Sequence, residues 1–228
     1  MIPVQNDRNL ADRGRRRRAA AVAGHRHDAE AARAFLEDED GSVRAIALSA
    51  LLRSHALTSD DLADAATDPD PRVRSRVAQT VAALRGQGVA GLVSLLDLLD
   101  DPDPQVVESA AWASGEREPP EDGAVERLVE LATSAEDALV REAAVASLGA
   151  IGDPAGLPAI LAGTGDRATV RRRAVLALAP FDGPEVEAAL SRALADRDWQ
   201  VRQAAEDLTE ATPEASSEPP DRPGHPPA

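Results

Sequence analysis

The dipeptide Val-Arg recurs along this 228-residue chain at a nearly constant interval, and this period constrains the fold more than any other feature of the sequence. It occurs at Val43-Arg44, Val73-Arg74, Val140-Arg141, Val170-Arg171 and Val201-Arg202, and Val106-Val107 takes the remaining position. Successive reference valines are therefore 30, 33, 34, 30 and 31 residues apart. Such a period is typical of a solenoid, in which similar supersecondary units stack and bury a core between neighbours.

Each unit is predicted to contain two helices joined by a short turn, with the reference valine in the second helix. An Asp stands three residues before this valine at Asp40, Asp70, Asp103, Asp137 and Asp198, and four residues before it at Asp166. These Asp side chains are expected to cap the second helices, because a carboxylate there accepts a hydrogen bond from an unpaired backbone N–H. The first helices are predicted at 28–37, 59–66, 89–99, 121–132, 154–162 and 184–195.

The second helices carry small or aliphatic residues at a helical spacing. Four and seven residues after the reference valine the side chains are mostly small, as in Ala47 and Ala50, and the residue after that is usually aliphatic, as in Leu51. These positions form one stripe of a helix, which predicts that the stripe packs inward. Aromatic residues make up only 2% of the chain, which also favours an all-α fold over a β-sandwich or barrel.

The pattern of Asp, four intervening residues, Val-Arg and then Ala and Ala-Leu resembles HEAT repeats, in particular the short HEAT-like repeats also seen in phycobilisome lyases. The resemblance covers about residues 28–210 in six repeats and implies a right-handed α-solenoid. In this family, Arg and Asp side chains of the same and adjacent repeats form a ladder. Carried over to this chain, the ladder comprises Asp38, Arg44, Asp68, Arg74, Asp101, Arg141, Arg171, Asp196 and Arg202. Val107, Ala135 and Gly165 depart from the pattern, so the middle of the ladder is expected to be incomplete.

Two segments lie outside the predicted repeats. Residues 1–27 carry seven Arg against two acidic residues, and we interpret them as a partly helical N-terminal cap. The alternative is that this basic segment docks onto an acidic partner or a nucleic acid. Residues 211–228 are rich in Pro and have no hydrophobic periodicity, which predicts a disordered tail.

Composition excludes several kinds of site. The chain has no Cys, which rules out disulfides and thiolate metal ligands, and the Asp-rich turns are attributed to capping and to the ladder. Some HEAT-repeat proteins are di-iron hydroxylases that use His-Glu pairs, and this chain has no His-Glu dipeptide. We therefore expect no metal and no cofactor. The net charge of −15 opposes binding to nucleic acid or anionic membranes, and the absence of a long apolar run predicts a cytoplasmic protein. We also expect the protein to be monomeric.

In HEAT arrays the second helices line the concave surface, which makes their solvent-facing positions the candidate binding site. The residues two and six positions after the reference valine are expected to face solvent there. Trp112 occupies one such position, where other repeats have smaller residues, and this suggests an interface anchor; the alternative is that it fills space beside Ser114. Trp199 is expected to cover the start of the last helix. The partner-binding candidates are Arg76, Glu108, Trp112, Glu142, Arg172 and Arg173.

These observations favour a non-catalytic scaffold or regulatory adaptor that binds another protein on its concave surface. The resemblance also leaves two alternatives. One is a bilin lyase or isomerase that handles a chromophore, although such a groove needs more aromatic residues than this chain has. The other is a nucleic-acid-binding protein like the HEAT-repeat alkylpurine DNA glycosylases, although those need a basic groove.

Overall fold

The structure, a computed structural model, describes residues 4–84 and 93–211, and all regular secondary structure in these ranges is helical. The N-terminal helix is α1 (Val4–His25). The first helices of the repeats are α2 (Ala29–Arg33), α4 (Ser59–Ala66), α6 (Leu95–Leu99), α8 (Ala124–Ser134), α10 (Leu157–Gly163) and α12 (Pro184–Ala193). The second helices are α3 (Gly41–Arg53), α5 (Pro71–Leu84), α7 (Pro104–Gly115), α9 (Ala138–Ile151), α11 (Ala168–Ala177) and α13 (Trp199–Ala211). The predicted all-α solenoid of about six helical hairpins is confirmed.

Asp side chains cap most of the second helices, as predicted. The carboxylates of Asp40, Asp103 and Asp137 each accept a hydrogen bond from the backbone N–H two residues later, at 2.8 to 2.9 Å. Helix α11 is the exception, because it starts after Arg167 without a side-chain cap. Asp166 instead accepts a hydrogen bond from the adjacent N–H of Arg167, so the capping role predicted for Asp166 is wrong.

Some predicted first helices differ from the observed ones at their ends. Helix α6 starts at Leu95 after the extended residue Ser94, whereas the prediction began at residue 89; residues 89–92 lie outside the described ranges. Helix α2 ends at Arg33, and a few hydrogen-bonded turns replace the rest of the predicted segment. Residues 212–228 of the predicted tail also lie outside the described ranges.

The second helices pack against one another in chain order and form the inner layer of the array. The first helices contact each other less and form an outer layer, so the array curves toward the second helices. The solvent-facing side of the second helices is therefore the concave surface. Between the layers, small and aliphatic side chains form a hydrophobic core that is continuous from Ala45 to Ala189. This continuity explains how hairpins too small to have a core of their own are stabilised.

Consecutive second helices cross where both carry small residues. A methyl group added to Gly149 in α9 would lie 2.6 Å from the Cα atom of Ala177 in α11. Gly115 and Ser147 make the equivalent crossing between α7 and α9, where an added methyl would lie 2.9 Å from the Cα atom of Ser147. Gly115 and Gly149 are thus required because the backbone of the next second helix lies too close for a side chain.

Helix α1 packs on α3 in the way that one second helix packs on the next. Ala20 and Ala23 are buried, and a methyl added to Gly24 would lie 2.8 Å from the Cα atom of Ala50. The basic side chains Arg15, Arg17 and Arg18 remain exposed. Residues 4–25 therefore extend the inner layer by one helix at its N-terminal end.

Candidate partner-binding surface

A row of Arg–Asp ion pairs, the Arg–Asp ladder, joins consecutive repeats at the turns that precede the second helices. The Nε and Nη2 atoms of Arg44 donate to the two carboxylate oxygens of Asp68 in the next repeat, at 2.8 and 2.6 Å. Its Nη1 atom donates to the backbone carbonyl of Asp38 at 2.6 Å. A planar guanidinium matches a carboxylate in this bidentate geometry, which makes the pair directional. The same three bonds join Arg74 to Asp101 and Asp68, and Arg171 to Asp196 and Asp166.

Asp166 is a ladder residue that the sequence analysis missed. The Nε and Nη2 atoms of Arg141 donate to its two carboxylate oxygens at 2.6 and 2.9 Å, and Nη1 donates to the carbonyl of Ala135 at 2.7 Å. The other ladder acids stand five residues before their reference valine, and Gly165 has this place before Val170. Because the turn before α11 is one residue shorter than the others, Asp166, four residues before Val170, occupies the equivalent position in the structure. The signal in the sequence was an acid directly after Gly165 in a turn with no other acid.

The ladder has one gap, between repeats three and four. Val107 stands where the other repeats have Arg, and Ala135 stands where the next repeat would have the accepting Asp. Val107 is buried, and it lines a cavity of about 230 Å³ together with Leu131 and Val140. Both members of the ion pair are replaced together, so neither an Arg nor an Asp is left without its partner. This gap agrees with the expectation that the middle of the ladder is incomplete.

The two ends of the ladder differ. At the N-terminal end, the Nε atom of Arg16 in α1 lies 2.9 Å from the carboxylate of Asp38, which gives that Asp the partner that a preceding repeat would provide. At the other end, Arg202 donates to the carbonyl of Asp196 at 2.7 Å. No carboxylate in the described ranges pairs with Arg202, because α13 is the last helix there.

The ladder lowers the pKa of the carboxyl groups of Asp101, Asp166 and Asp196. The hydrogen bonds from Arg141 hold the pKa of Asp166 below its usual value, and those from Arg171 do the same for Asp196. For Asp101, burial favours a higher pKa, but the hydrogen bonds and charge of Arg74 outweigh it and the pKa is lowered. These groups therefore remain ionised in the folded protein at neutral pH.

Trp112 lies on the concave surface, in the middle of the array, and 39% of its surface is exposed. The guanidinium carbon of Arg173, from α11, stands 5.1 Å from the centre of its ring. The Nη2 atom of Arg173 also lies 3.6 Å from a carboxylate oxygen of Glu142 on the intervening α9. Three of the partner-binding candidates, from repeats three, four and five, thus form one contiguous group.

Glu108 lies one helical turn before Trp112 on the same face of α7. Its carboxyl group is half-buried, and burial, with repulsion from Asp137 and Glu142, raises its pKa above the usual value. No cation among the described residues pairs with it. Glu108 and Glu142 therefore create a local excess of negative charge beside the exposed indole.

The other two candidates stand apart from this group. Arg172 is exposed and lines a separate concave cavity of about 120 Å³ with Leu176, Trp199 and Gln203. Arg76 in α5 is half-buried, and its Nε atom has no hydrogen-bond acceptor among the described residues. The binding role of all six candidates stays a prediction.

Two expectations about exposure are wrong. Ala45 and Ser75, two residues after their reference valines, are buried rather than solvent-facing, because the second helices of the first repeats approach closely there; the hydroxyls of Ser75 and Ser109 lie 2.7 Å apart. Trp199 does not cover the start of α13, since 65% of its surface is exposed. Ser114 is buried and bonds to the carbonyl of Ala110 at 2.9 Å, whereas Trp112 points outward.

The fold and the ladder define an α-solenoid of the HEAT and armadillo type. The family model for HEAT repeats matches residues 29–114 and 92–179, and the chain belongs to this family. Among solved structures, an engineered protein is similar with a TM-score of 0.59 and 24% identity, over 80% of this chain and 95% of that one. A designed armadillo repeat protein in complex with the peptide (KR)4 is similar with a TM-score of 0.56 and 21% identity, over 78% of this chain and 96% of that one. No curated protein matches the sequence.

No group of His, Asp and Glu side chains in residues 4–84 and 93–211 is arranged to hold a metal ion. In the same ranges, no helix has the length and apolar character needed to cross a bilayer.

Proposed function

We propose that this HEAT-repeat protein is a non-catalytic interaction scaffold or regulatory adaptor, and that another protein binds to its concave surface. The observation that carries the proposal is the exposed indole of Trp112 at the middle of that surface. A large aromatic side chain that is surrounded by charged groups is typical of an interface hot spot, because it buries much area at a low cost in conformational entropy. We further propose that the protein acts as a monomer in the cytoplasm.

The surroundings of Trp112 support this proposal. Glu108 and Glu142 provide charged groups beside the indole, and Arg172 lies farther along the same surface with the exposed Trp199. A protein-binding surface commonly has an apolar centre and a polar rim. The designed armadillo protein in complex with (KR)4 indicates that an array of this architecture can bind a peptide.

The alternatives gain less support from the same residues. A nucleic-acid backbone would meet Glu108 and Glu142 at the middle of the surface, where repulsion between like charges opposes binding. A chromophore-binding groove would need several aromatic or aliphatic walls, whereas the two Trp residues stand in different places on the concave surface.

Affinity capture with the full chain tests the proposal. We expect Trp112→Ala to reduce the amount of the main partner captured from native lysate by about tenfold, the loss typical of an interface hot spot. Leu194→Ala is the matched control, since Leu194 is also a large exposed apolar residue but follows the outer helix α12. Circular dichroism should show the same helicity for all three proteins. Equal capture by wild type and Trp112→Ala would contradict the proposal.

A further inference from the structure

Arg173 is held less firmly than the ladder arginines. Arg44, Arg74, Arg141 and Arg171 each make bidentate bonds to a carboxylate at 2.6 to 2.9 Å and a further bond to a carbonyl. Arg173 approaches Glu142 only at 3.6 Å, and its buried Nε atom has no acceptor among the described residues. Its guanidinium is thus positioned by the Trp112 ring and by charge rather than by hydrogen bonds.

The side chains around Arg173 carry more negative charge than positive charge. Glu142 faces Arg173, and Glu108, on the same helix face as Trp112, has no cationic partner among the described residues. Asp137 adds to the negative potential at Glu108. One weakly held guanidinium therefore stands beside two glutamates and one exposed indole.

We propose that this cluster is a receptor for an arginine side chain of the partner protein, and that Arg173 is an internal occupant that the incoming arginine displaces. This inference rests on the proposed function, whose binding surface it uses. The incoming guanidinium stacks on the indole of Trp112 and bonds to Glu108 and Glu142. Arg173 then turns outward into solvent. The guanidinium of the partner thus replaces that of Arg173 on the indole, and the rest of the partner can contact the concave surface.

The chemistry of the cluster selects a guanidinium. An indole attracts a planar cation over its face, and a carboxylate accepts the forked N–H groups of a guanidinium in two parallel bonds. A lysine ammonium lacks the planar fork, and no metal-binding arrangement of acids exists in the described ranges. The protein itself demonstrates the fit, because Arg173 already stands 5.1 Å from the ring centre.

A fluorescein-labelled peptide of alternating Arg and Ser residues tests the inference by fluorescence anisotropy with the full chain. The same peptide with citrulline in place of Arg is the control, since citrulline has the shape of arginine without its charge. We expect the Arg peptide to bind about tenfold more tightly than the citrulline peptide, as expected for charge-assisted hydrogen bonds. The Trp199→Phe variant retains Trp112 as its only tryptophan. In this variant, the tryptophan fluorescence should change when the Arg peptide is added and should not change when the citrulline peptide is added.

Variants separate displacement from a general effect of charge. Arg173→Ala should tighten binding of the Arg peptide by about fivefold, since a competing cation–π contact and ion pair are removed. Arg192→Ala is the matched control, because it removes the same charge from an exposed residue of the outer helix α12, and it should have a smaller effect. Glu108→Gln and Trp112→Ala should each weaken binding about fivefold. Equal effects of Arg173→Ala and Arg192→Ala, or equal binding of the Arg and citrulline peptides, would overturn the inference.

The two proposals fail in different ways. If Trp112→Ala reduces capture of the partner but the protein does not prefer the Arg peptide, the concave surface binds a partner of other chemistry and only the arginine receptor is wrong. If the Arg peptide binds as expected but Trp112→Ala captures the partner normally, the receptor is supported and the proposed function is wrong.

Discussion

At the scale of single residues, the Arg–Asp ladder obeys a rule of pairing. Four second-helix arginines have both a carboxylate in the next repeat and a carbonyl in their own. In the one remaining step between repeats, Val107 and Ala135 replace both partners. A half-buried charge without a partner is costly, and replacing both partners by apolar residues avoids that cost. The gap therefore leaves no unpaired charge between repeats three and four, although Val107 lines a cavity of about 230 Å³ there.

The pairing rule predicts the behaviour of Arg141 and Asp166. We expect Asp166→Ala to lower the free energy of unfolding by about 1–3 kcal/mol, because it leaves Arg141 without a carboxylate. Arg141→Val should cost less in the Asp166→Ala background than in wild type, since the double variant reproduces the pair found at Val107 and Ala135. Urea unfolding monitored by circular dichroism measures the coupling. Strictly additive effects would show that the two side chains do not depend on each other.

The lowered pKa values of Asp101, Asp166 and Asp196 predict a loss of stability in acid. Because their pKa values are lower in the folded chain than in the unfolded chain, they stabilise the fold fully above the unfolded value of about 3.9. This contribution is lost as the pH falls through that value toward the folded one. We expect the urea midpoint to fall steeply below about pH 4 and less steeply in Asp166→Asn. An unchanged slope in the variant would contradict the assignment.

At the scale of the helix, the repeat period predicted most of what the structure contains. The hairpins, the Asp caps and the packed stripe follow from local spacing, which one sequence displays directly. The ladder role of Asp166 was not predicted because the turn before it is one residue shorter. Its offset from the reference valine therefore differs from that of the other ladder acids, although its position in the structure is equivalent. The approach of Arg173 to Trp112 could not be predicted either, since it joins repeats three and five and depends on the curvature of the inner layer. Packing between second helices likewise buries Ala45 and Ser75.

Substitution by Ala is expected to have opposite effects on stability at Gly149, where α9 crosses α11, and at Gly14 in α1. Gly149→Ala should destabilise the protein by about 1–3 kcal/mol, because the added methyl would lie 2.6 Å from the backbone of Ala177 and the helices would have to separate. Gly14→Ala is the control, since an added methyl there has no atom within 4 Å. It should stabilise α1 by up to about 1 kcal/mol through helix propensity. Thermal unfolding compares the two variants with the wild type. Stabilisation by Gly149→Ala would show that α9 and α11 leave room for a methyl group at Gly149.

At the scale of the whole molecule, the ladder and the core give different expectations for the middle of the array. By the ladder alone, the gap at Val107 and Ala135 would be a weak joint. The core, however, runs without a break through this joint, and α7 and α9 share one of the most extensive interfaces in the described ranges. Burial of apolar surface contributes more than a partly exposed ion pair, so packing should determine the local stability.

Hydrogen exchange measured by mass spectrometry distinguishes these expectations. We expect amide protection to be highest in α7 and α9, which have the most extensive contacts with the second helices on both sides. Protection should be lowest in α13, which contacts one second helix among the described residues and carries Arg202, for which those residues offer no carboxylate partner. Helix α3 should be better protected than α13, because α1 covers it with Ala20 and Ala23 and pairs Arg16 with Asp38. Faster exchange in α7 and α9 than in α5 and α11 would mean that the ion pairs, rather than the continuous core, hold the repeats together.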